Sequence, residues 1–365
     1  MSTASALPGW VRSTPWWVIA AVVALGGFGL IVLYSAAGGA LKPWAFSQGV
    51  RFAVLLVAMI ALAQLDPAIW LKRAYVIYGL SLALLFGVDA LGAVSGGSRR
   101  WLDTGILRLQ PSEFMKLAIV LALARYFHNM PRVHLRSLSA LVIPATMILA
   151  PAALVMIQPD LGTGAMIVAG GITVLFLAGL PWWWFAGGIA AMAAAVPVLL
   201  GHLHGYQAKR VMIFLDPSAD PRGAGYHITQ SKIAIGSGGL FGKGFLNGSQ
   251  SHLDYLPERH TDFIFATMAE EWGVAGGLFI LVCFGVILWW GMGVALRAQT
   301  TFARLAAAGL TMTLFFYVAI NLLMVMGLAP VVGIPLPLVS YGGSAMLTVL
   351  LGLAILMSIA RAQPR

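Results

Sequence analysis

One carboxylate stands where a polar segment meets a long apolar run. Asp262 ends the sequence Leu256-Pro-Glu-Arg-His-Thr-Asp, and apolar and aromatic residues follow it directly. Partial desolvation makes a carboxylate a stronger proton acceptor, so Asp262 is a candidate general base. The simpler alternative is an acid at the N-cap or first turn of a helix, where the helix dipole favours negative charge. His260 and Asp262 could also be metal ligands, but two are too few for a structural metal site.

A second acid and a lysine lie three residues apart in Gln110-Pro-Ser-Glu-Phe-Met-Lys. Pro111 and an acid in the following turn predict that a helix begins here. Glu113 and Lys116 would then share one helix face and could form an ion pair. The pair could line an outward-facing cavity, or it could be an interfacial ion pair at a helix end, and the sequence does not decide between them.

Asp160 follows Gln158-Pro159 at an abrupt turn between two apolar runs. An aspartate in this place is well explained as the N-cap of the next helix. A role in a substrate cavity is the alternative.

A basic, glycine-rich segment precedes Asp262. It contains Lys209-Arg210, a stretch at 226–232 that predicts a short amphipathic interfacial helix, and six glycines between 236 and 248 around Lys243. Exposed amides beside a cation suit phosphate, whereas a flexible loop tip is the simpler interpretation. No strand precedes the glycines, so a dinucleotide fingerprint is excluded.

Two further segments carry unusual polar or rigid features. Glu270 and Glu271 lie two turns inside the next apolar run, and we expect one to pair with a buried cation and the other to face a polar cleft. The uncharged segment 327–344 contains Ser340, prolines that stiffen it, and glycines that could leave amide donors for an anion. A stiff connector is the simpler interpretation of this segment.

Composition indicates that these residues belong to a membrane protein. The chain has 365 residues, of which 60% are hydrophobic and 9% charged, against about 25% charged in an ordinary soluble domain. A soluble globular chain and a disordered chain are both excluded. The formal charge of +10 is explained by basic cytoplasmic loops rather than by nucleic acid. The single cysteine, Cys283, excludes an intramolecular disulfide.

The predicted fold class is an all-α polytopic membrane protein with about ten transmembrane helices in a single domain, 1–365. A crossing helix needs about 20 apolar residues. The predicted spans are 15–36, 46–65, 72–92, 111–128, 137–157, 161–180, 182–201, 262–296, 302–328 and 341–361. The distribution of Lys and Arg places both termini in the cytoplasm. A shorter outer loop covers 93–110, and a long one, 202–261, joins spans seven and eight. Span eight is too long for one perpendicular crossing, so its first turns should begin in a protein-lined cavity.

Five motifs, in this order along the chain, resemble the SEDS family of RodA and FtsW membrane proteins. They are Arg100-Trp-Leu, Gln110-Pro-Ser-Glu with Lys116, Gln158-Pro-Asp-Leu-Gly-Thr, Leu256-Pro-Glu-Arg-His-Thr-Asp-Phe and Pro337-Leu-Val-Ser-Tyr-Gly-Gly-Ser. The resemblance covers essentially the whole chain. The Pro-Glu-Arg-His-Thr-Asp sequence is more similar to the RodA branch, which serves cell elongation, than to the FtsW branch, which serves division.

The resemblance implies a peptidoglycan glycosyltransferase of the bacterial inner membrane that polymerises lipid II at the outer face, with inversion and release of polyprenyl diphosphate. It assigns the essential carboxylate to Asp262. The implied cavity residues are Arg100, Glu113, Lys116, Asp160, Arg210, Lys243 and Ser340. Arg210 and Lys243, followed by Arg100, are the cations expected to stabilise the leaving diphosphate.

The resemblance also implies partners. A class B penicillin-binding protein and other membrane proteins of the elongation complex are expected, and no nucleic acid. A divalent cation could share the charge on the diphosphate, although no ligand cluster indicates one.

Two other functions remain open from the sequence. A lipid II flippase would suit ten spans with intramembrane charges, but nearly all the unusual polar residues lie towards the outer side. A purely structural scaffold for another cell-wall enzyme would not need Asp262.

Overall fold

A computed structural model describes residues 14–91, 93–95, 98–103, 108–202, 213, 220, 223–253, 255–256 and 258–363. Most of these residues are helical. The helices are α1 (Trp16–Ala36), α2 (Ala45–Leu62), α3 (Pro67–Leu91), α4 (Pro111–Asn129), α5 (Leu138–Ile157), α6 (Leu161–Leu177), α7 (Trp182–His202), α8 (Ala224–Gly238), α9 (Ser249–His252), α10 (Ile264–Arg297), α11 (Thr301–Val325) and α12 (Gly343–Arg361). A 3-10 turn, Arg132–Arg136, lies between α4 and α5.

Each predicted span coincides with a helix in these described ranges. Seven helices within them are long and apolar enough to cross a membrane by length and composition alone, namely α1, α2, α3, α5, α10, α11 and α12. Helix α6 has only 17 residues, and α4 carries Glu113, Lys116 and Arg125. The all-α multi-pass fold is thereby confirmed.

Helix α4 lies at the centre of the bundle. Every residue from Leu117 to Ala124 is buried, and the helix contacts α3, α5, α6, α11 and α12. Because protein surrounds this helix, its charged side chains can be paired inside the bundle rather than exposed to lipid. This position explains why its sequence is less uniformly apolar than that of its neighbours.

Helix α10 is broken near its start. Gly273 has φ 61° and ψ −155°, which interrupts the helix, and only glycine adopts this backbone conformation readily. The eight residues from Ile264 to Glu271 are all buried in protein. At about 1.5 Å per residue, the 34-residue helix exceeds the hydrocarbon thickness of about 30 Å. The expectation that span eight begins inside protein is confirmed.

The segment 93–110, predicted as a plain loop, contains three strands. They are β1 (Ala93–Ser95), β2 (Ser98–Asp103) and β3 (Arg108–Leu109). Strands β1 and β2 pair antiparallel, as do β2 and β3. The sequence contained a signal that could have predicted this, since Gly96-Gly97 is typical of a two-residue hairpin loop.

Several helix ends meet at one end of the bundle, which we call the site end. Helix α10 begins there after the turn 258–263, α2 begins at Ala45, α11 ends at Val325, and α12 begins at Gly343. Hydrogen bonds from residue 341 to residue 260 and from residue 321 to residue 262 join these elements. The site end therefore gathers residues from distant parts of the sequence.

Candidate active site

Asp262 lies in the turn 258–263 and is half-buried. Helix α10 begins after it at Ile264, with Phe263 as the N-cap residue, and its first turn contains no acidic residue. The interpretation of Asp262 as an N-cap or first-turn acid is therefore wrong.

Three consecutive carbonyl groups hold this turn in place. Each accepts a hydrogen bond from a different residue near the site end of α11 or α12: the His260 oxygen from Tyr341 N at 2.8 Å, the Thr261 oxygen from Ser340 Oγ at 2.7 Å, and the Asp262 oxygen from Asn321 Nδ2 at 3.0 Å. Bonds to three successive residues fix both the position and the direction of the backbone that carries Asp262.

The Asp262 side chain faces the segment between α11 and α12. A β-carbon on Gly333 would lie 3.5 Å from Asp262 Oδ2, so a residue without a side chain lies beside the carboxylate. Asn321 Nδ2 also donates to the Ile334 oxygen at 2.7 Å. One amide thus bridges the turn of Asp262 and the loop that borders its carboxylate.

Ser340, a predicted cavity residue, supports this arrangement. Its side chain is buried, and its hydroxyl accepts from Leu336 N at 2.8 Å while donating to the Thr261 oxygen. Gln48 Nε2 donates to the Ser340 carbonyl at 2.9 Å. The structure therefore places Ser340 behind the turn, where it positions Asp262.

A row of aromatic and cationic side chains flanks the turn, and sequence reasoning missed most of it. The rings of Trp44 and His260 stack with centroids 4.1 Å apart and planes inclined by 8°. The His260 and Tyr341 centroids are 6.0 Å apart. Arg259 lies over Trp44 and Arg51 over Tyr341, at 5.7 and 5.2 Å. No local pattern in the sequence pairs residues 44 and 51 with residues 259–260, so only tertiary contact reveals this row.

Two histidines near the turn favour the neutral state. Burial lowers the pKa of His260 below its usual range; Glu258 opposes this shift and Arg259 adds to it. Burial likewise lowers the pKa of His227 in α8, against the effects of Glu258 and Asp220. The Nδ1 atoms of both histidines are buried and have no hydrogen-bond partner in the part of the chain that the structure describes.

Glu113 and Lys116 form an ion pair inside the bundle. Lys116 Nζ lies 2.6 Å from Glu113 Oε1, and both side chains are buried. The Tyr317 hydroxyl donates to Glu113 Oε2, and Lys116 Nζ lies 4.2 Å from the centroid of the Tyr317 ring. The predicted ion pair is confirmed, and its side chains are buried because protein packs around α4. Glu113 lies in the first turn of this helix. A role of the pair in a substrate cavity stays a prediction.

Arg100 and Asp160 meet at the turn between α5 and α6. Asp160 Oδ1 accepts from Thr163 N at 3.1 Å, which confirms the predicted N-cap. Its other oxygen accepts from Gln110 Nε2 at 3.0 Å and lies 3.9 Å from Arg100 Nη1. Arg100 also donates to the carbonyls of Gln158 and Pro159. The guanidinium therefore clamps this turn through two hydrogen bonds and its contact with Asp160.

The glycine-rich segment packs against the break in α10. Lys243 N donates to the Glu270 oxygen at 2.9 Å and Gly244 N to the Glu271 oxygen at 3.1 Å. A β-carbon on Gly242 would lie 2.1 Å from the Glu271 oxygen, so glycine is required by the close approach of two backbones. These amides are bonded within the protein, and the interpretation of them as exposed phosphate ligands is wrong.

Lys243 is paired as well. Its Nζ lies 2.6 Å from Glu270 Oε1, and Gln250 N donates to both Glu270 oxygens. The expected pairing of one glutamate with a cation is confirmed, although Lys243 is partly exposed rather than buried. Glu271 is buried and accepts a hydrogen bond from Ser35 Oγ, so the expectation that it faces a polar cleft is wrong.

The structure thus divides the predicted site residues into four groups. Asp262 and Ser340 lie together at the turn, Arg100 with Asp160, Glu113 with Lys116, and Lys243 with Glu270. Arg210 lies outside the described residues. Sequence reasoning did not name Tyr341 or Asn321 as site residues, although Tyr341 belongs to the motif at 337–344. Among the residues searched, the described ones, no group of three His, Cys, Asp or Glu side chains could hold a metal ion.

The Arg100–Asp160 group adjoins the loop beside Asp262. Gly162 lies two residues after Asp160 in the same motif. A β-carbon on Gly162 would lie 2.7 Å from the Val332 oxygen. Val332 is the neighbour of Gly333, whose backbone borders the Asp262 carboxylate. The start of α6 therefore packs closely against this loop.

Comparison with known proteins shows the family to which this chain belongs. Residues 15–364 match the FtsW, RodA and SpoVE family model, which is described as a cell cycle protein. Over 339 residues the chain is 48% identical to the peptidoglycan glycosyltransferase MrdB of Escherichia coli K12, covering 93% of this chain and 91% of MrdB. Identity to the probable peptidoglycan glycosyltransferase FtsW of Alkalilimnicola ehrlichii is lower, 35% over 356 residues, covering 94% and 88%.

Two solved structures share the fold. A chain from a peptidoglycan synthase complex that coordinates polymerisation and crosslinking superposes with a TM-score of 0.83 at 32% identity, covering 96% of this chain and 99% of the other. The crystal structure of the Thermus thermophilus rod shape determining protein RodA gives a TM-score of 0.74 at 30% identity, covering 98% and 100%.

Proposed function

Because this chain belongs to the FtsW, RodA and SpoVE family, we propose that it is a peptidoglycan glycosyltransferase that polymerises lipid II during cell elongation. The observation that supports this most directly is the way Asp262 is held. Three consecutive carbonyls fix its turn, and its half-buried carboxylate lies beside Gly333. The higher identity to MrdB than to FtsW favours the elongation branch over the division branch.

In the proposed reaction, Asp262 acts as the general base. A sugar hydroxyl is a poor nucleophile until a base removes its proton, and such transfer typically contributes about 10²–10⁴-fold to the rate. As the hydroxyl oxygen bonds to the anomeric carbon of the donor, the bond from that carbon to diphosphate breaks and the proton passes to Asp262. An α-linked diphosphate replaced in one step gives a β-1,4 link, so no enzyme nucleophile is needed. No step is assigned to a metal.

The leaving diphosphate gains negative charge, and nearby cations would stabilise it. Lys243 and Arg100 are less suited to this role than their sequence positions indicate, because Glu270 binds one and the 158–160 turn binds the other. Arg51 and Lys232 are better candidates. Neither makes a hydrogen bond or ion pair with any described residue; Arg51 lies over Tyr341, and a β-carbon on Gly327 would lie 2.8 Å from Lys232 Nζ. Arg210 stays in the proposal on the family resemblance.

Location and partners complete the proposal. Both termini face the cytoplasm, and the site end opens to the outer face of the inner membrane, where lipid II presents its sugars. A class B penicillin-binding protein is the expected partner, since a structural relative is a chain of a complex that joins polymerisation to crosslinking. Other elongation-complex membrane proteins would bind the same assembly.

Labelled lipid II given to the purified chain in proteoliposomes tests the proposal. We expect glycan strands that lysozyme digests, and loss of at least about 10²-fold in rate for Asp262→Asn. Glu258→Gln is the matched control, because Glu258 lies in the same turn but is exposed and binds the Thr261 hydroxyl. Full polymerisation by a folded Asp262→Asn variant would remove the mechanism. Lipid II flipping without polymerisation would favour a transporter.

A further inference from the structure

Four apolar side chains at the tip of the glycine-rich segment have no protein covering them fully. Leu240 and Phe241 are 68% and 82% exposed, and Phe245 and Leu246 are also exposed. In a soluble loop, a patch of this kind would be a liability. In this chain the patch lies against two membrane helices, which suggests a specific environment for it.

The tip 239–246 is fixed to helices α1 and α10. Val274 N and Ala275 N of α10 donate to the Gly239 and Leu240 oxygens at 3.0 and 3.1 Å. The Phe245 ring stacks on Tyr34 of α1, with centroids 6.2 Å apart and planes inclined by 16°. The depth of the tip along α10 is therefore set by bonded contacts at residues 274–275.

That depth coincides with the start of the lipid-facing surface of α10. Residues Ile264–Glu271 are buried in protein, whereas Val274 is 51% exposed, and the exposed apolar series continues through Leu278, Leu281, Val282, Trp289 and Leu296. Counting back from Arg297, about 20 residues span the hydrocarbon core and reach Gly277. Val274 then lies about 5 Å beyond that boundary, at the interfacial layer.

We propose that the tip 239–246 inserts into the outer leaflet of the membrane as an interfacial anchor. Leu240 and Phe241 would extend the lipid-facing surface of α10 into the boundary between headgroups and acyl chains. Lys243 of the tip is paired with Glu270 of α10, and its ammonium would keep the polar side of the tip towards water. Part of the predicted outer loop is then embedded in the membrane, and lipid covers the exposed apolar side chains of the tip.

Site-directed spin labelling in lipid nanodiscs tests this. Cys283 is the only cysteine, so Cys283→Ala provides a background in which Phe241→Cys and, separately, Leu240→Cys carry a nitroxide. Val282→Cys on the exposed face of α10 is the lipid reference, and Glu258→Cys in the exposed turn is the water reference. Collision rates are measured with oxygen, which concentrates in lipid, and with a water-soluble nickel complex.

We expect the oxygen-to-nickel ratio at Phe241→Cys and Leu240→Cys to be several-fold above that at Glu258→Cys and below that at Val282→Cys. A ratio equal to that of Glu258→Cys would overturn the proposal, since the tip would lie in water. Low collision rates with both reagents would also overturn it, because protein rather than lipid would cover the tip. Two labelled positions guard against a local effect of one label, and each variant is first checked for elution as an intact, folded protein.

Discussion

The Tyr317 hydroxyl donates a hydrogen bond to Glu113 Oε2 across 204 positions of sequence. The other oxygen of Glu113 accepts from Lys116, and the Tyr317 ring lies over the Lys116 ammonium. A carboxylate, an ammonium and a phenol therefore satisfy one another inside the bundle. Each group compensates the cost of burying the others. Removing one charged group should therefore lower the stability more than removing both Glu113 and Lys116 charges together.

Lys116→Met should lower stability by about 3–5 kcal/mol, because it leaves the buried Glu113 carboxylate without its cation. The double variant Glu113→Gln, Lys116→Met removes both charges and should recover a large part of the loss. Thermal unfolding in detergent, followed by elution of the folded fraction, measures both. A double variant no more stable than the single one would contradict the ion-pair explanation.

Asn321→Ala should slow polymerisation by about 10²-fold, since a misplacement of about 1 Å at a reacting group can have an effect of this size. The variant removes the donor that binds both the Asp262 and Ile334 carbonyls. We expect the loss in kcat rather than KM, because Asn321 positions the base.

Thr311→Ala is the matched control for Asn321→Ala. Thr311 is a buried residue of the same helix, and among the described residues its hydroxyl bonds only to the Ala307 oxygen of its own helix. Equal loss of rate in both variants would mean that any buried polar change in α11 disturbs the enzyme, and the positioning role would be discarded.

Gly238→Ala should destabilise the protein, because a β-carbon there would lie 1.9 Å from the Ala269 oxygen. The β-carbon is fixed to the backbone of α8 and the oxygen belongs to the backbone of α10, so neither can move alone. The two helices would have to separate. Melting temperature and lipid II polymerisation should fall together.

Gly236→Ala, two residues earlier in the same helix, meets nothing within 4 Å. It should be neutral or stabilise by about 0.5–1 kcal/mol, since alanine favours helix over glycine. Equal effects of the two alanines would show that α8 does not depend on close packing at Gly238.

Stability should decrease as the pH falls below about 6.5, the usual pKa of histidine. Burial lowers the pKa of His260 in the folded protein, so protons bind the unfolded chain more readily. The contribution of His260 to the free energy of unfolding is fully present above a pH of about 6.5. It is lost as the pH falls through the pKa of His260 in the folded protein. His260→Gln should flatten melting temperature against pH between about 7.5 and 5.5.

His227→Gln measures the share of the second histidine, whose pKa burial also lowers. Glu258 favours protonation of both histidines and Arg259 opposes it at His260. An unchanged pH profile in the double His227→Gln, His260→Gln variant would show that other groups control the acid sensitivity.

Local sequence was sufficient for the long apolar helices and for naming the candidate base. Apolar runs of about 20 residues predicted ten helices, because a helix of this length spans the hydrocarbon core and satisfies its backbone hydrogen bonds within the segment. Asp262 was identifiable because a carboxylate next to an apolar run is unusual. Asp160 was predicted as an N-cap, and this was correct because capping depends on neighbours three residues away.

Contacts between distant segments decided the rest. Sequence could not assign Lys243 to Glu270, Tyr317 to Glu113, or Asn321 to the turn of Asp262, because these pairs depend on how helices pack rather than on spacing. The glycines near Lys243 were misinterpreted for the same reason. The sequence does not distinguish a glycine that leaves room for a phosphate from a glycine that leaves room for a helix backbone. Only the packed bundle shows which group fills the space that the missing side chain leaves.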